Sequence, residues 1–455
     1  LMFHDWHTSL YGSSKQCFIL FLLGEMKVLI LTLNAWNSSN STGNTISNLF
    51  SEISENDEVA NIYCRNEAIN NTICKRYFKV TENDILYHVF STDLCGNVVT
   101  DYGDGKQEVG PNILAKSKKG DFLRKHRFTS LLFLRELIWA LPVWKNCRLN
   151  NFLTDFAPDV IYMHGHSNLY MHKLLDYCAK VTGAKTALFW GDDMYGRKSH
   201  APLGYIYETM LRSRYRKSIE QASLLFGGSL KLCDEYTSIF RKQFVPFFKE
   251  CKQVRYDENK IIGNPITIVY AGNLLFGREQ MMVEFAKALE SVNTKGLSHQ
   301  FLLKVFSNTN PFPESLGVLD DKKNSLFMGC KPYSEVCEEM DKSELVLFIE
   351  SFDKKNIQMT RLSFSTKIID CMQSTAGILA IGPKEIASMD YMAKNDLGYI
   401  ISDVTEMEGR LAYLADHTDL IQEENKHKVE FATKYHTNTS AKALNELRKL
   451  VWKKY

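Results

Sequence analysis

The chain has 455 residues, of which 45% are hydrophobic and 24% are charged. This length allows two domains that each bury a core, and the composition is ordinary for a globular protein. The 55 basic and 53 acidic residues leave a net charge of +2, which argues against a general nucleic-acid binder. The eleven cysteines form no C-x-x-C pair, so reduced thiols in the cytoplasm are expected rather than disulfides or a zinc site.

Residues 1–25 are predicted to lie outside the fold. Met26 is followed at once by strand-forming residues, and the preceding L-L-G-E is also what a ribosome-binding site gives when it is translated in frame. We therefore expect Met26 to be the natural start. The alternative is a hydrophobic anchor built on Cys17–Leu23, a run far shorter than the roughly 18 residues that span a bilayer.

The segment 26–255 is predicted to form a first domain of α/β class. Its first strand, Val28–Leu33, is continuously apolar, as expected for a strand buried in a parallel sheet. Gly43 stands at the start of the helix that follows, where its backbone N–H is placed to approach a ligand. Glu58–Tyr63 and Asp84–Phe90 are predicted to be further strands.

The segment Lys116–Arg148 is both basic and apolar. It has nine basic residues against two acidic ones, and its middle is the apolar and aromatic run from Ser130 to Trp144. A helix of this kind is typical of a protein that lies on an anionic membrane surface. It is equally typical of a core helix with solvated lysines on either side, and both interpretations stay open.

Two histidines follow the short buried strand Val160–Met163. Because ligands bind at the carboxyl ends of strands in open α/β sheets, His164 and His166 are candidates for contact with a substrate. A single histidine is more often structural, and that alternative holds for each of them. The Asp192-Asp193 pair follows the next strand and is predicted to orient an acceptor or to cap a helix.

A second α/β series is predicted over 256–430, and the polar run Val245–Ile262 is predicted to be the linker between the two series. Its first strand, Thr267–Ala271, leads into Gly272 and Asn273 and then to Gly277-Arg278 at the start of a helix. A strand, a glycine-containing loop, a cation and a helix form a layout that cradles phosphate groups. Three more strands follow: Leu302–Phe306, Leu326–Gly329 and Leu345–Ile349. Glu350 stands at the end of the last of them. Glu350 either faces the ligand or is an exposed acid at a strand end.

The stretch Ser363–Pro383 is predicted to be a loop, a helix, a turn and a short buried strand. Ser365 or Thr366 is predicted to cap the helix with its hydroxyl, and Lys367 and Asp370 stand in the first turn. A cation and a carboxylate there suit a ligand that has a phosphate and a sugar. The plain alternative is an ordinary capped helix of an α/β domain.

The run S-T-K-I-I-D and the strand A-I-G-P that follows it resemble the donor-binding segment of family-4-type glycosyltransferases of the GT-B fold. That family has P-S-K-hydrophobic-x-E, in which the lysine faces the donor phosphates and the acid binds the ribose hydroxyls. Lys367 and Asp370 occupy these positions. Three residues depart from the family pattern: Asp370 replaces the usual glutamate, Thr375 stands at the usual small residue, and Leu362 stands where the E-x7-E signature has its first acid.

The resemblance implies a GT-B fold, in which two Rossmann-like parallel-sheet domains face a cleft. It implies an acceptor domain over 26–255, a nucleotide-sugar domain over 256–430, and a terminal helix over 431–455 that crosses back to the first domain. The implied activity is transfer of a sugar from a nucleotide diphosphate sugar to an acceptor hydroxyl, with retention of configuration and with no metal or other cofactor.

The resemblance also assigns roles to single residues. Arg278 and Lys367 would stabilise the leaving diphosphate, and His164 and His166 would contact the sugar or the acceptor. The remaining donor-binding candidates are Gly43, Gly272, Asn273, Glu350, Thr366 and Asp370. The implied partners are a lipid-linked or saccharide acceptor of surface-polysaccharide or capsule synthesis and the anionic inner face of a membrane, without nucleic acid.

Two alternatives belong to other classes of protein. One is a non-catalytic GT-B-like subunit that stabilises or targets a glycosyltransferase, which the departures around Asp370 and Thr375 leave open. The other is a dehydrogenase, which is disfavoured because the chain has no G-x-G-x-x-G fingerprint.

Overall fold

The structure is a computed structural model that describes residues 25–38, 41–100, 129–197 and 202–452. These residues form two compact units. The first unit contains the described residues up to Phe189, those from 202 to Leu225, and those from Ser440 onward. The second unit contains Trp190–Arg197 and Phe226–Thr439. Within the described ranges, no helix is both long and apolar enough to cross a membrane.

Eight short strands form the first sheet. They are β1 (Lys27–Thr32), β2 (Glu58–Tyr63), β3 (Arg76–Lys79), β4 (Asn97–Val99), β5 (Val160–His164), β6 (Lys185–Trp190), β7 (Leu224–Gly227) and β8 (Val245–Pro246). Their order is β4-β3-β2-β1-β5-β6-β7-β8, and β1 pairs in parallel with both β2 and β5. The short β4 is antiparallel to β3. The strands β1 to β4 follow one another to one side of β1, and β5 to β8 follow one another to the other side. The strand order therefore reverses between β1 and β5, which is the reversal point of the first sheet.

Seven helices accompany this sheet. They are α1 (Ser41–Leu49), α2 (Glu82–His88), α3 (Thr129–Ile138), α4 (Cys147–Phe156), α5 (Leu169–Thr182), α6 (Pro202–Gln221) and α7 (Leu230–Phe240). A single 3-10 turn, Pro142–Trp144, separates α3 from α4.

The predicted strand at Asp84–Phe90 is wrong, because these residues belong mainly to helix α2. Thr81 caps that helix: its Oγ1 accepts a hydrogen bond from the Asp84 N–H at 3.2 Å, and Asp84 Oδ2 accepts one from the Thr81 N–H at 2.9 Å. This reciprocal capping box fixes a helix start. The apolar residues that favoured a strand are divided, since Ile85 is buried and Tyr87 is exposed.

The described part of the basic and apolar segment begins with helix α3, and the cations from Lys116 to Arg127 lie outside the described residues. One side of the segment faces the protein: the ring of Phe133 contacts Tyr207 of α6 at 5.4 Å, and Trp139 stacks on Tyr170 at 4.3 Å. The other side of α3 is exposed to solvent and carries Leu131, Leu134 and Leu137.

The second sheet has six strands, and all of its pairings are parallel. They are β9 (Ile266–Ala271), β10 (Phe301–Phe306), β11 (Ser325–Gly329), β12 (Leu345–Ile349), β13 (Gly377–Ile381) and β14 (Tyr399–Ile401). Their order is β11-β10-β9-β12-β13-β14. Counted from β9 this is 3-2-1-4-5-6, the Rossmann order, in which ligands bind where the order reverses. That point lies between the carboxyl ends of β9 and β12.

Nine further helices complete the described chain. They are α8 (Arg278–Asn293), α9 (Pro313–Leu319), α10 (Tyr333–Lys342), α11 (Lys354–Thr360), α12 (Lys367–Gln373), α13 (Ala387–Lys394), α14 (Met407–Asp416), α15 (Asp419–Tyr435) and α16 (Thr439–Trp452). The described part of the predicted terminal helix, 431–455, thus belongs to two helices, the end of α15 and α16. From Ser440 onward, α16 belongs to the first unit, where the Ser440 hydroxyl donates to the Asn48 carbonyl at 2.6 Å and Arg448 pairs with the buried Asp57.

Candidate active site

The reversal point of the second sheet holds a buried ion pair. Glu350 directly follows β12, and Arg278 is the first residue of α8. The guanidinium donates to both carboxylate oxygens of Glu350, at 2.6 and 3.1 Å. Arg278 is 8% exposed and Glu350 is 4% exposed, so the alternative of an exposed strand-end acid is wrong. A bidentate pair in this setting fixes the direction of the arginine side chain.

Glycine is required just before Arg278. Gly277 has a φ of +76°, in the left-handed region that side chains with a Cβ disfavour. A Cβ there would also lie 2.5 Å from the Asn356 amide nitrogen and 2.6 Å from the Ser351 hydroxyl. The loop between β9 and α8 therefore turns tightly, and this turn brings Arg278 back to the strand ends.

Lys367, the first residue of α12, reaches the same point. Its Nζ donates to the Tyr270 hydroxyl at 3.0 Å, and that hydroxyl donates to the Asn273 carbonyl at 2.6 Å. Arg278 also donates to the Asn273 side-chain oxygen at 3.1 Å. A Cβ on Gly272 would lie 2.2 Å from the lysine nitrogen, so a side chain there would displace the ammonium group from this position.

The charges of this cluster do not balance. Burial, together with the neighbouring Arg278, lowers the pKa of Lys367 to about 8, while Glu350 acts in the opposite direction. Both oxygens of Glu350 are taken by Arg278, and no carboxylate of the described residues lies within ion-pair distance of Lys367. Two cations and one anion leave one positive charge in excess. The cluster therefore favours an anionic ligand.

Thr366 precedes α12, but its side chain does not cap the helix as predicted. Its backbone is already helical, with φ −62° and ψ −17°, and its side chain makes no capping hydrogen bond. A capping hydroxyl needs an extended backbone at that position to reach the first N–H groups. Thr366 is exposed to solvent and immediately precedes Lys367.

Asp370 lies one helical turn after Lys367 and has two partners of its own. Its Oδ1 accepts a hydrogen bond from Lys249 Nζ at 2.7 Å and from the Tyr333 hydroxyl at 3.3 Å. Its side chain is about one quarter exposed. The acid that the resemblance assigns to a ribose is therefore held by a lysine of the linker.

The loop before α12 is anchored by residues that follow β6 and β7. Arg361 donates at 2.6 Å to both oxygens of Glu235 and at 2.6 Å to Asp193. The Ser363 hydroxyl donates to Asp192 at 2.6 Å. The acidic pair Asp192-Asp193 thus holds this loop in place, a role that its sequence position did not indicate.

The reversal point of the first sheet has a different chemistry. His164 ends β5, and its ring lies 4.8 Å from the ring of Phe189 and 5.6 Å from that of Tyr162. Burial lowers the pKa of both His164 and His166 to about 3, so both imidazoles are neutral. The Nε2 atom of each is buried without a hydrogen-bond partner among the described residues.

His166 is fixed through its backbone. Its carbonyl accepts a hydrogen bond from His172 Nε2 at 3.0 Å, and His172 Nδ1 lies 2.9 Å from the Ser218 hydroxyl. Because a carbonyl can only accept, Nε2 of His172 carries the proton and Nδ1 accepts from the serine. Burial lowers the pKa of His172 to about 4, which keeps this arrangement neutral.

Gly43 lies in α1 of the first unit. A Cβ there would come within 1.9 Å of the Asn37 carbonyl oxygen, so the glycine is required by a close approach of two backbone segments. Its predicted contact with a donor stays a prediction.

The structure brings five predicted residues into one network: Gly272, Asn273, Arg278, Glu350 and Lys367. Thr366 and Asp370 adjoin it on α12, whereas Gly43, His164 and His166 belong to the first unit. The sequence analysis missed Tyr270 and Lys249. Tyr270 stands two residues before Gly272 at a strand end, a position that signalled its role, whereas Lys249 lies in a linker without a motif.

Comparison with known proteins gives the fold. Neither a family model nor a curated protein matches the sequence. Solved structures match over nearly their whole length at low identity. Sucrose-phosphate synthase from Thermosynechococcus elongatus has a TM-score of 0.57 and 9% identity, covering 93% of this chain and 99% of that one. The lipopolysaccharide outer core galactosyltransferase WaaB has a TM-score of 0.55 and 12% identity, covering 94% and 100%.

A third similar structure is the α,α-trehalose 6-phosphate synthase from Burkholderia multivorans, with a TM-score of 0.55 and 9% identity, covering 94% of this chain and 97% of that one. Together with the two Rossmann-like sheets, these matches show that the chain has the GT-B fold. The predicted fold class is confirmed.

Proposed function

We propose that this protein transfers a sugar from a nucleotide diphosphate sugar to an acceptor hydroxyl. The observation that carries the proposal is Lys367, a desolvated cation without a carboxylate partner in the described chain, at the reversal point of a Rossmann-type sheet. A diphosphate is an anion that suits an excess positive charge at this point of the fold. The GT-B fold of the similar structures supports the same assignment.

In the proposed reaction the bond between the anomeric carbon and the diphosphate oxygen breaks, and its electron pair stays on the diphosphate. Lys367 and Arg278 offset the charge that develops there, in the place of a metal ion. The acceptor oxygen bonds to the anomeric carbon, and its proton passes to an oxygen of the departing diphosphate. We assign retention of configuration to this reaction, as the resemblance of the Lys367 segment implies.

The neutral histidines of the first unit suit the uncharged part of the reaction. An imidazole with a free ring nitrogen can donate to or accept from a sugar hydroxyl, and neither His164 nor His166 has its Nε2 engaged by the described residues. We assign these two residues to contact with the sugar or the acceptor.

Stabilisation by candidate donors tests the proposal. UDP- and GDP-sugars are added in the presence of EDTA, and the stability of the protein is measured by thermal and by urea denaturation. A donor at a hundred times its Kd adds roughly 2.7 kcal/mol of stability. Lys367→Met should lose this gain, whereas the exposed control Lys354→Met should keep it. Stabilisation that appears only with Mn²⁺ or Mg²⁺ would contradict the metal-free reaction, and binding without sugar turnover would favour the non-catalytic subunit.

We further propose that the acceptor is carried by a lipid and that the first unit docks on an anionic membrane. Helices α3 and α6 pack together through Phe133 and Tyr207, and each exposes an apolar stripe beside this contact. This leucine face comprises Leu131, Leu134 and Leu137 of α3 and Leu203, Ile206 and Met210 of α6. Such exposed apolar residues suit the interface of a bilayer, and the sequence places a run of cations just before α3.

Vesicle binding separates this surface from ordinary exposed residues. Changing Leu131, Leu134 and Leu137 together to serine should weaken binding to anionic vesicles about tenfold or more, because their apolar area no longer leaves water. The control changes Ile261 and Phe312, two exposed apolar residues of the second unit, to serine. Equal binding by wild type and the leucine variant would exclude the leucine face as the membrane contact.

A further inference from the structure

We propose that Lys249 is a positioning residue, which orients the Asp370 carboxylate toward the ribose of the donor. This inference rests on the proposed function and extends it to a linker residue. Lys249 Nζ and Asp370 Oδ1 form a salt bridge of 2.7 Å within the second unit. Asp370 lies on α12, the helix that begins with Lys367.

The backbone on both sides of Lys249 is fixed. On one side the Phe248 ring packs at 4.8 Å from Phe364 and at 5.4 Å from both Tyr391 and His436. On the other side the N–H of the buried Cys251 donates to the His436 carbonyl at 2.9 Å. Lys249 therefore lies in an anchored segment of backbone. Its ammonium group is more restricted in position than that of a surface lysine.

The chain is tied to α12 itself just beyond this point. The Lys252 N–H donates to the Gln373 side chain at 2.8 Å, and Arg255 donates to the Gln373 carbonyl at 3.1 Å. The linker and the helix thus form one local structure. The distance between Lys249 and Asp370 is set by several contacts and does not depend on their own attraction alone.

The carboxylate of Asp370 is divided between two uses. Oδ1 accepts from Lys249 and from the Tyr333 hydroxyl, whereas Oδ2 accepts no hydrogen bond from the described residues. A carboxylate can accept about four hydrogen bonds, two at each oxygen. With Oδ1 held on one side, the side-chain rotation is fixed and Oδ2 is presented for a hydroxyl donor. Such a donor is what the 2′ or 3′ position of a ribose offers.

Lys249 also reduces the electrostatic repulsion between Asp370 and an anionic ligand. A bare carboxylate one turn from Lys367 would repel the diphosphate that Lys367 attracts. Lys249 neutralises it, so that an anionic ligand and an acid that binds hydroxyls can share one site. A linker tie without any role in recognition is the competing explanation, and it predicts a change in stability with no change in how the ribose is recognised.

Deoxynucleotides distinguish these two explanations. The probes are whichever of UDP and GDP binds the wild type more tightly and its 2′-deoxy and 3′-deoxy forms. Wild type should bind the ribonucleotide about tenfold more tightly than at least one deoxy form, as expected for a hydrogen bond to a charged group. In Lys249→Met this ratio should fall to about twofold or less, and Lys249→Arg should restore most of it. The matched control Lys252→Met removes an exposed lysine of the same segment, whose contact with α12 is made by its backbone, and should leave the ratio unchanged.

The outcomes are separable. An unchanged ratio in Lys249→Met, or a wild type that binds both forms equally, overturns the role of Lys249 while nucleotide binding itself stands. Loss of stability in Lys249→Met with an unchanged ratio identifies a structural tie and overturns the proposal as well. Failure of both UDP and GDP to bind the wild type overturns the proposed function together with it.

Discussion

The two sheets reverse their strand order at equivalent places, between β1 and β5 in the first and between β9 and β12 in the second. The side chains there differ in charge and in partners. In the second sheet, Arg278 and Lys367 are charged and bound within a network of side chains. In the first sheet, His164 and His166 are neutral, and their Nε2 atoms have no partner among the described residues.

The two sheets share a backbone arrangement, and this arrangement does not determine which kind of ligand each reversal point suits. Both sheets offer the same edge for a ligand, as open α/β sheets generally do. An excess positive charge selects an anion, whereas a pair of neutral imidazoles suits hydroxyl groups. The proposed division of donor and acceptor between the two units therefore depends on side chains and not on the backbone. Four experiments test this difference between the two reversal points.

Removal of Arg278 should have the largest effect. Arg278→Ala leaves Glu350 buried without its partner, which should cost about 3–5 kcal/mol of the free energy of unfolding. Urea denaturation measures this loss. The double variant Arg278→Ala with Glu350→Ala should recover most of the stability, because no charge is then left unpaired. A single variant as stable as wild type would show that the pair does not hold the site together.

Removal of Lys367 should affect the rate far more than the stability. Lys367→Ala should lower turnover about a hundredfold, the scale expected when one preorganised donor to a leaving group is lost. Its thermal midpoint should stay close to that of wild type, since the charged lysine is itself desolvated at some cost. A folded variant with an unchanged rate would place the phosphate site elsewhere in the protein.

The pH dependence of nucleotide binding sharpens the contrast between the two reversal points. With a pKa of about 8, Lys367 loses its proton as the pH rises, and the Kd of UDP should increase about tenfold from pH 7 to pH 9. Calorimetry in buffers of different ionisation enthalpy should detect proton uptake on binding near pH 8. In Lys367→Arg both effects should vanish, because arginine stays protonated over this range. A wild type whose affinity is constant across this range would mean that another group binds the diphosphate.

The smallest effect is expected at the first reversal point. Unfolded histidines bind protons below about pH 6.5, while His164 and His166 do so in the folded state only near pH 3, so acidification favours unfolding. The loss between pH 7 and pH 5.5 should be at most about 1 kcal/mol for each histidine. Urea midpoints at the two pH values should show a smaller loss in His164→Gln. An equal loss in both proteins would mean that His164 takes up its proton without unfolding.

Local sequence patterns indicated most of the residues that meet at the second reversal point, and the binding roles of these residues stay predictions. The glycine loop and Arg278 lie within a few residues of one strand end, and Lys367 opens a recognisable helix. The pairing of Arg278 with Glu350 could not be predicted, because it depends on β12 lying beside β9 in the sheet. Contacts that are distant in sequence leave no local signal.

Two further misses have different physical causes, the first local and the second distant in sequence. The run from Asp84 to Phe90 has the apolar content of a strand, but the cap provided by Thr81 decided the local structure in favour of a helix. Lys249 stands in a polar linker, where a lysine is the most ordinary of residues. Only the anchoring of its neighbours against residues more than a hundred positions away gives it a defined place.

The last helix has a consequence for the order of events during synthesis. Arg448 of α16 pairs with Asp57, a residue 391 positions earlier and fully buried in the first unit. At about 5–20 residues per second, a ribosome needs roughly 20–80 s to pass from one to the other. Throughout that interval the nascent first unit lacks the cation that compensates Asp57, while the whole second unit is being made. A chaperone that binds nascent chains should therefore stay on this protein until α16 has left the ribosomal tunnel.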